Sequence, residues 1–333
     1  MTAATLLGTR PEIAIAHIRA RCGMEPSGAG DGRKLALIVE GGAMRGVFSC
    51  GGGVALEALG LTRAFNEVYA CSSGAINAAY FLAGQAAYSV SIYYDEVNNR
   101  RFINPLRVKN ILNMDFLFDK VVSRRKPLDV GRVLSSPSRL RISITDARTG
   151  AGFLIDGQDR RYALLDTLRA SATHPLLSER SRRLGERDCF DGGFANPLPI
   201  KDAIESGCTD VLLLLTRQSD YVDPRPGFLL RTLFKWRCAR GNSAMIAAGE
   251  DIHVRENQSR DLALGRSAPP AGVNIVAICP GASTRLARTM TDKAALKTAA
   301  ADGARQTFRA FGADPDRFPA IWQGFKAESR RTS

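Results

Sequence analysis

Histidine is scarce in this chain of 333 residues, which contains only His17, His174 and His253. A Ser-His-Asp triad needs one imidazole between the nucleophile and the acidic residue. Few positions can therefore supply it. Clusters of His, Cys and carboxylate residues with metal-ligand spacing are also missing, so we expect no metal and no other cofactor.

Paired cysteines and long apolar runs are missing as well. The seven cysteines stand far apart without a CxxC pair, and an odd number cannot all be bridged within one chain. This pattern is typical of reduced thiols in the cytosol. No apolar run reaches the ~18 residues that a membrane span needs, and the first residues lack the features of a secretory signal. The sequence predicts a cytoplasmic protein that contacts membranes, if at all, only peripherally.

Acidic residues are outnumbered, because 46 Lys and Arg face 33 Asp and Glu and give a formal charge of +13. Such a field attracts nucleic acid, acidic membrane surfaces or anionic lipid headgroups. Neither zinc-finger spacing nor an RNA-binding aromatic signature accompanies the arginines. We therefore expect contact with an anionic membrane rather than with nucleic acid.

Short apolar runs alternate with helical patterns along most of the chain. Residues 1–33 are predicted to be an N-terminal extension with a short helix and a Gly-rich linker, after which the folded body begins. Residues 34–217 form the predicted core, and residues 218–333 complete or flank the same domain. Alternating strands and helices predict an α/β fold with a mainly parallel sheet covered on both faces. The predicted strands are Leu35–Val39, Val68–Cys71, Leu140–Ile144, Gly152–Ile155, Val211–Leu215 and Val273–Ile278.

The first chemical motif is the Gly-rich segment 40–46, EGGAMRG, between a predicted strand and a predicted helix. Glycines allow a tight turn that exposes backbone N–H groups, and the helix N-terminus adds partial positive charge, so this loop can hold an anion or an oxyanion. A nucleotide site is disfavoured because Ala43 breaks the GxGxxG pattern and GK[ST] is absent.

The second motif is Ala70-Cys71-Ser72-Ser73-Gly74, again at a strand-to-helix junction. A nucleophile elbow, GxSxG, needs small flanking residues and lifts the serine hydroxyl out of the backbone. Ala70 occupies the first glycine position, and spacing to Gly74 selects Ser72 as the nucleophile. The alternative is a simple serine cap at a helix start.

The third motif is Asp191-Gly192-Gly193, followed by Asn-Pro-Leu-Pro at 196–199. Asp before two glycines is by itself an ordinary turn. Its meaning comes from its combination with the other motifs.

These motifs follow one another in a fixed order: GGxxRG at 41–46, SxGA at 72–75, ASxxxP at 170–175, and DGG with NPxP at 191–199. Their order and spacing resemble the patatin-like phospholipases, over about residues 35–217. The resemblance implies a three-layer α/β/α fold. It also implies a serine lipid acyl hydrolase of lipid metabolism, acting as a phospholipase, lysophospholipase or carboxylesterase.

The resemblance further implies a catalytic dyad in which Ser72 attacks an ester carbonyl and Asp191 accepts its proton. The oxyanion hole would be the backbone of Gly41, Gly42 and Ala43, completed by Arg45 and Gly46. Ala43 and Ala70 stand where the family usually has glycine. Both are small, so we expect changes of geometry rather than loss of function.

The base of such a dyad needs an unusual environment. An unperturbed Asp has a pKa of about 3.9 and is a poor base for a hydroxyl proton. Burial or a hydrogen bond to Ser72 must make it more basic, and we predict that Asp191 is partly buried. His174 is the only histidine placed to form a triad instead.

Residues 228–238, FLLRTLFKWRC, mix large apolar side chains with Arg and Lys. A basic amphipathic helix at a lipid surface or over the site is one interpretation. A surface helix with its apolar face in the core is the other, and we favour it.

Two further functions share these motifs. The same acyl-enzyme would pass its acyl group to an alcohol in an acyltransferase, and a catalytically silent protein would only bind acidic membranes. Intact Ser72 and Asp191 argue against the silent protein.

Overall fold

The computed structural model describes residues 6–26, 30–107, 109–179, 181–239 and 242–326. Parts of the predicted N-terminal extension and linker, residues 1–5 and 27–29, lie outside this range. The strands are β1 (Leu35–Val39), β2 (Glu67–Ala70), β3 (Arg139–Asp146), β4 (Gly152–Asp156), β5 (Arg182–Leu184), β6 (Arg187–Asp191), β7 (Asp210–Leu214) and β8 (Asn274–Ile278).

The α-helices and other helical segments of the described residues complete the architecture. The α-helices are α1 (Pro11–Ala20), α2 (Gly46–Ala58), α3 (Ser72–Leu82), α4 (Ala86–Ser89), α5 (Val130–Leu134), α6 (Leu164–Ala172), α7 (Ile200–Glu205), α8 (Phe228–Phe234), α9 (Ser243–Glu250), α10 (Ile252–Ala263), α11 (Lys293–Ala310) and α12 (Pro319–Lys326). The 3₁₀ turns are Ala43–Arg45, Gly192–Phe194 and Pro315–Arg317, and the π-helical segments are Ile92–Glu96, Phe116–Arg125 and Lys235–Ala239.

The eight strands form one sheet in the order β5-β6-β3-β2-β1-β7-β8, with β4 also paired to β3. The pairs β3–β2, β2–β1, β1–β7 and β7–β8 are parallel. The pairs that involve β4, β5 and β6 are antiparallel. The predicted α/β class with a mainly parallel central sheet is confirmed.

The centre of the sheet is buried because its strands are continuous apolar runs. Every residue of β1, β7 and β8 is buried, which is the pattern of parallel strands covered on both faces. Helices α2, α3 and α11 pack on one another on one side, and α11 makes its most extensive contact with α2. Parallel strands end together, so the loops that follow β1 and β2 lie side by side.

Helix α1 packs against this sheet through Ala14, Ile15 and Ile18. A β-bridge joins Leu7 to Ala277, and the His17 imidazole Nδ1 lies 2.7 Å from Asp210 Oδ1. The helix therefore belongs to the same packed body as the sheet, although it precedes the predicted start of the core.

Residues 228–238 differ from the interpretation we favoured. No residue of α8 is buried, and most of its apolar side chains are exposed, although Phe234 packs against a small hydrophobic cluster that includes Phe194. That interpretation is wrong, because periodicity shows which residues share a face but not what covers it. Among the described residues, no helix combines the length and apolar composition that a bilayer crossing requires.

Candidate active site

Ser72 lies at the junction of β2 and α3 in a strained backbone conformation. Its φ of 53° falls in the left-handed region that residues with a side chain rarely adopt. Such strain is a recognised feature of nucleophile elbows. Gly74 makes the sharp turn possible, because a Cβ there would lie 2.3 Å from the carbonyl oxygen of Val39. Ala70 ends β2 and is paired in the sheet, where a methyl group fits.

Two buried serines hold the elbow from behind. The Ser72 N–H donates to Ser171 Oγ at 2.9 Å, and the Ser171 hydroxyl donates to the carbonyl of Ser143 at 2.8 Å. Ser171 belongs to α6 and Ser143 to β3, so the elbow is tied to two other elements. The ASxxxP motif contains Ser171, but its local sequence gave no indication of this contact.

The loop that follows β1 lies directly against the elbow. A Cβ on Gly41 would lie 2.6 Å from the carbonyl oxygen of Cys71 and 2.8 Å from the Ser72 Cβ, so only glycine fits. Thr216 Oγ1 donates to the Gly41 carbonyl at 2.8 Å. Because the peptide plane is trans, the N–H of Gly42 points away from Thr216.

Gly42 and Ala43 give this loop its shape. Their φ angles are 146° and 53°, and the Ala43 value lies in the left-handed region despite its Cβ. The Arg45 N–H bonds to the Gly42 carbonyl at 3.2 Å, and the Met44 N–H bonds to the Arg288 carbonyl at 3.2 Å. The Ala43 methyl group is thus accommodated in a braced 3₁₀ turn.

Arg45 places a cation beneath the loop. It is buried, and its Nε has no hydrogen-bond partner among the described residues. Burial, followed by the nearby guanidinium groups of Arg288 and Arg217, lowers the pKa of Arg45 to about 9. Arg45 stays charged at neutral pH and makes the loop attractive to an anion. Gly46 then begins α2 against the hydroxyls of Ser73 and Tyr93.

Asp191 ends β6 and faces the elbow. Its carboxylate accepts the Gly193 N–H at 2.8 Å, and the Ser72 side chain is near enough to lower its pKa. The residue is only 6% exposed, and this burial raises its pKa, although the Gly193 N–H, the Ser72 side chain and Arg288 oppose the rise. The predicted burial of Asp191 is confirmed. Gly192 must lack a side chain, because a Cβ would lie 2.1 Å from the Ser143 carbonyl oxygen.

His174 faces the same cavity but makes other contacts. Its Nδ1 accepts the Leu176 N–H at 3.2 Å, and its Nε2 lies 3.4 Å from Arg288 Nη1. Burial and the charge of Arg288 lower the pKa of His174 to about 3, so the ring is neutral at pH 7. Neither ring nitrogen of His174 is hydrogen-bonded to Ser72 or Asp191 among the described residues. His17 is occupied by Asp210, outside the site.

A cavity of about 630 Å³ opens beside Ser72 and Asp191. Most of its wall is apolar, and the π-helical segments contribute to it, as such segments frequently do at functional sites. Its apolar residues include Ile76, Ile92, Phe102, Leu112, Met114 and Leu117. Sequence analysis identified none of these, because they are ordinary apolar residues far apart in the chain. Arg288, which also lines the cavity, was missed because it lies in no recognisable motif.

One protein-family model matches this chain. The family model "Patatin-like phospholipase" matches residues 37–204, about half of the chain. The chain belongs to the patatin-like phospholipase family. Membership supports a lipid acyl hydrolase activity in general terms.

Two individual proteins are also similar to this patatin-like chain. The uncharacterized protein YjjU of Escherichia coli strain K12 is 26% identical over 265 residues, which cover 74% of this chain and 68% of YjjU. The crystal structure of VipD from Legionella pneumophila aligns with a TM-score of 0.43 at 12% identity, covering 84% of this chain and 67% of VipD.

Proposed function

We propose that this patatin-like protein hydrolyses carboxyl esters of lipids through a Ser72–Asp191 dyad. The observation that carries the proposal is that Ser72 and the buried Asp191 carboxylate line the same cavity, with Ser72 near enough to lower the pKa of Asp191. A serine hydroxyl is a weak nucleophile until an adjacent base removes its proton. Burial makes Asp191 more basic than an exposed carboxylate, which suits it to this task.

In the proposed reaction, Ser72 Oγ bonds to the ester carbonyl carbon while its proton moves to Asp191. The C–O bond to the alcohol then breaks, and the proton passes from Asp191 to the departing alcohol oxygen. Water next loses a proton to Asp191 as it attacks the acyl-enzyme. Breakage of the bond to Ser72 returns that proton to its Oγ.

The negative charge of each tetrahedral intermediate requires fixed donors. We assign this role to backbone N–H groups of the loop at Gly41, Gly42 and Ala43. Thr216 supports the assignment because it fixes the Gly41 carbonyl and thereby directs the Gly42 N–H away from itself. The charge of Arg45 adds a favourable field beneath the loop.

The substrate class follows from the cavity wall. Its largely apolar surface suits an acyl chain, and Ser72 and Asp191 supply polar groups where the ester would react. A lipid ester presents the same distribution, with a long hydrocarbon part and one polar ester group. The proposal therefore covers phospholipids, lysophospholipids and acylglycerols as a class.

Intact-mass analysis after treatment with a fluorophosphonate probe tests this proposal. We expect one label on the folded wild type and no label on Ser72→Ala, because the probe reacts with activated serines. Asp191→Asn should slow labelling by about 10²-fold or more, the usual contribution of a general base.

Ser73→Ala is the matched control, since it removes the neighbouring hydroxyl and should label normally. His174→Ala should also label within about tenfold of wild type. Wild-type labelling rates in Asp191→Asn would refute the dyad, and selective loss in folded His174→Ala would establish a triad instead.

A further inference from the structure

The helical segment 228–236 exposes a row of large apolar side chains. The exposed fractions are 84% for Phe228, 82% for Leu229 and 74% for Trp236, and Leu233 between them is also exposed. Leu229, Leu233 and Trp236 follow one another at helical spacing. We call these four side chains the outer face. Contiguous apolar surface of this kind marks an interaction site in many proteins.

The opposite side of the same helix lines the active-site cavity through Leu230 and Phe234. The Phe234 ring stacks on Phe194 with centroids 5.1 Å apart, and Phe194 packs edge-on against Phe190 of β6. Helix α8 is thus fixed to the wall that carries Asp191. Leu230 lines the cavity and is also 47% exposed, so the cavity wall borders solvent next to the outer face.

The helical segment that bears the outer face is positively charged, since it contains Arg231 and Lys235 and no acidic residue. Arg231 and Lys235 both approach the single carboxylate of Glu250, at 3.0 and 3.3 Å, so two cations face one anion. The chain as a whole carries +13. Leu106, 83% exposed, lies in a nearby loop whose Lys109 carbonyl accepts a hydrogen bond from Arg237. Leu106 is thus a further exposed apolar side chain, on a loop that is hydrogen-bonded to the end of this helical segment.

We propose that the outer face docks on an anionic lipid bilayer and presents the cavity mouth to it. We choose a bilayer as the binding partner because the outer face adjoins the active-site cavity. A lipid ester must leave its bilayer to enter this cavity, and this argument rests on the proposed function. Tryptophan favours the membrane–water interface, and Lys and Arg favour anionic headgroups. A helix with large apolar side chains and flanking cations binds membranes in this way.

Tryptophan fluorescence tests the docking directly. The chain has two tryptophans, so Trp322→Phe leaves Trp236 as the only emitter. In the full chain with Ser72→Ala, which spares the lipid, we expect a blue shift on vesicles of equal parts phosphatidylcholine and phosphatidylglycerol. Lipids brominated in their acyl chains should quench the emission. An unchanged spectrum would overturn the proposal.

Vesicle sedimentation provides the second test, in the same Ser72→Ala chain. Leu229→Glu with Trp236→Glu should lower the partition coefficient at least about tenfold, because each substitution removes a large apolar group and adds a negative charge. Leu134→Glu, on α5 away from the cavity, is the matched control and should bind normally. Unchanged binding of the double variant would refute this surface.

Two further readouts separate the competing explanations. The double variant with Ser72 intact should label with fluorophosphonate at the wild-type rate without vesicles. If neither the wild type nor the double variant is labelled, the proposed hydrolase function is refuted. The docking proposal is then decided by the fluorescence and sedimentation measurements alone. Light scattering measures the oligomeric state. If the wild type is a dimer and the double variant is a monomer, the outer face binds a second copy of the chain, and the proposal of bilayer docking is refuted.

Discussion

Asp191 has the environment that a carboxylate base requires. It is buried, its carboxylate accepts the Gly193 N–H, and the nearby Ser72 side chain interacts with it. Desolvation raises its pKa more than these contacts lower it. The buried side chain is thus a stronger base than a free aspartate and is ionised at neutral pH only at a cost in folded-state stability.

The pH profile of ester hydrolysis should reflect this pKa. Protonation of Asp191 removes the base, so kcat/KM should fall as the pH drops, with a midpoint above the ordinary aspartate value of 3.8. Steady-state rates on a water-dispersed ester over a pH series, corrected for unfolding, measure it. His174, with its pKa near 3, should leave the midpoint unchanged when replaced by Ala. A midpoint near 6.5 that disappears in His174→Ala would contradict the assignment.

Sequence alone identified the two residues of the proposed dyad but not their surroundings. Ser72 and Asp191 stand in short local motifs whose turn chemistry is visible in the chain. Arg288 lies 97 residues beyond Asp191 in no recognisable motif, and only the fold brings it to His174 and to the oxyanion loop. Side chains that act through tertiary contact leave no local signal.

At the level of elements, the elbow depends on strand β3 and helix α6. Ser143 and Ser171 form a chain of hydrogen bonds that ends at the Ser72 N–H. The strained φ of Ser72 persists because these elements hold it. A local conformation of this kind is stable only when its surroundings fix it.

Ser171→Ala removes the acceptor of the Ser72 N–H and the donor to the Ser143 carbonyl. We expect a loss of about 1–3 kcal/mol in the free energy of unfolding and a fall of roughly 10–100-fold in labelling rate through displacement of the nucleophile. Chemical denaturation and fluorophosphonate labelling measure the two effects.

Thr307→Val is the control, because Thr307 on α11 also donates from a buried hydroxyl to a carbonyl, that of Gly303 at 2.9 Å. It should be destabilised similarly and label normally. Equal labelling rates in the two variants would show that Ser171 does not position the elbow.

The central strands were predictable from apolar patterns, and β1 was predicted at its observed bounds. The hairpin of β5 and β6 was missed because Arg, Asp and Glu dominate its sequence. Its pairing with β3 is a long-range contact, and it is this pairing that carries Asp191 to the elbow. Edge hairpins of such composition have little strand propensity of their own.

On the scale of the whole molecule, α1 is joined to the sheet by a buried polar contact. Asp210 is fully buried and accepts from Asn274 Nδ2 at 2.7 Å and from Thr209 Oγ1 at 2.8 Å, in addition to its contact with His17. A buried carboxylate that loses one partner keeps its full desolvation cost. The N-terminal segment should therefore stabilise the molecule without taking part in catalysis.

His17→Ala should lower the free energy of unfolding by about 1–3 kcal/mol, since Asp210 loses a partner inside the protein. Urea denaturation measures the loss, and the folded variant should label at the wild-type rate. His253→Ala is the control, because the His253 Nδ1 has no hydrogen-bond partner among the described residues. Equal stability of the two variants would contradict a stabilising role for the contact.

The link between the Met44 N–H and the Arg288 carbonyl has a consequence for the timing of activity. A ribosome makes the nucleophile and the oxyanion loop early and Arg288 more than two hundred residues later. A nascent chain that ends before Arg288 contains both residues of the proposed dyad but lacks the brace on the loop that follows β1. We therefore expect the proposed activity to appear only after the segment that contains Arg288 has been synthesised and has folded against this loop.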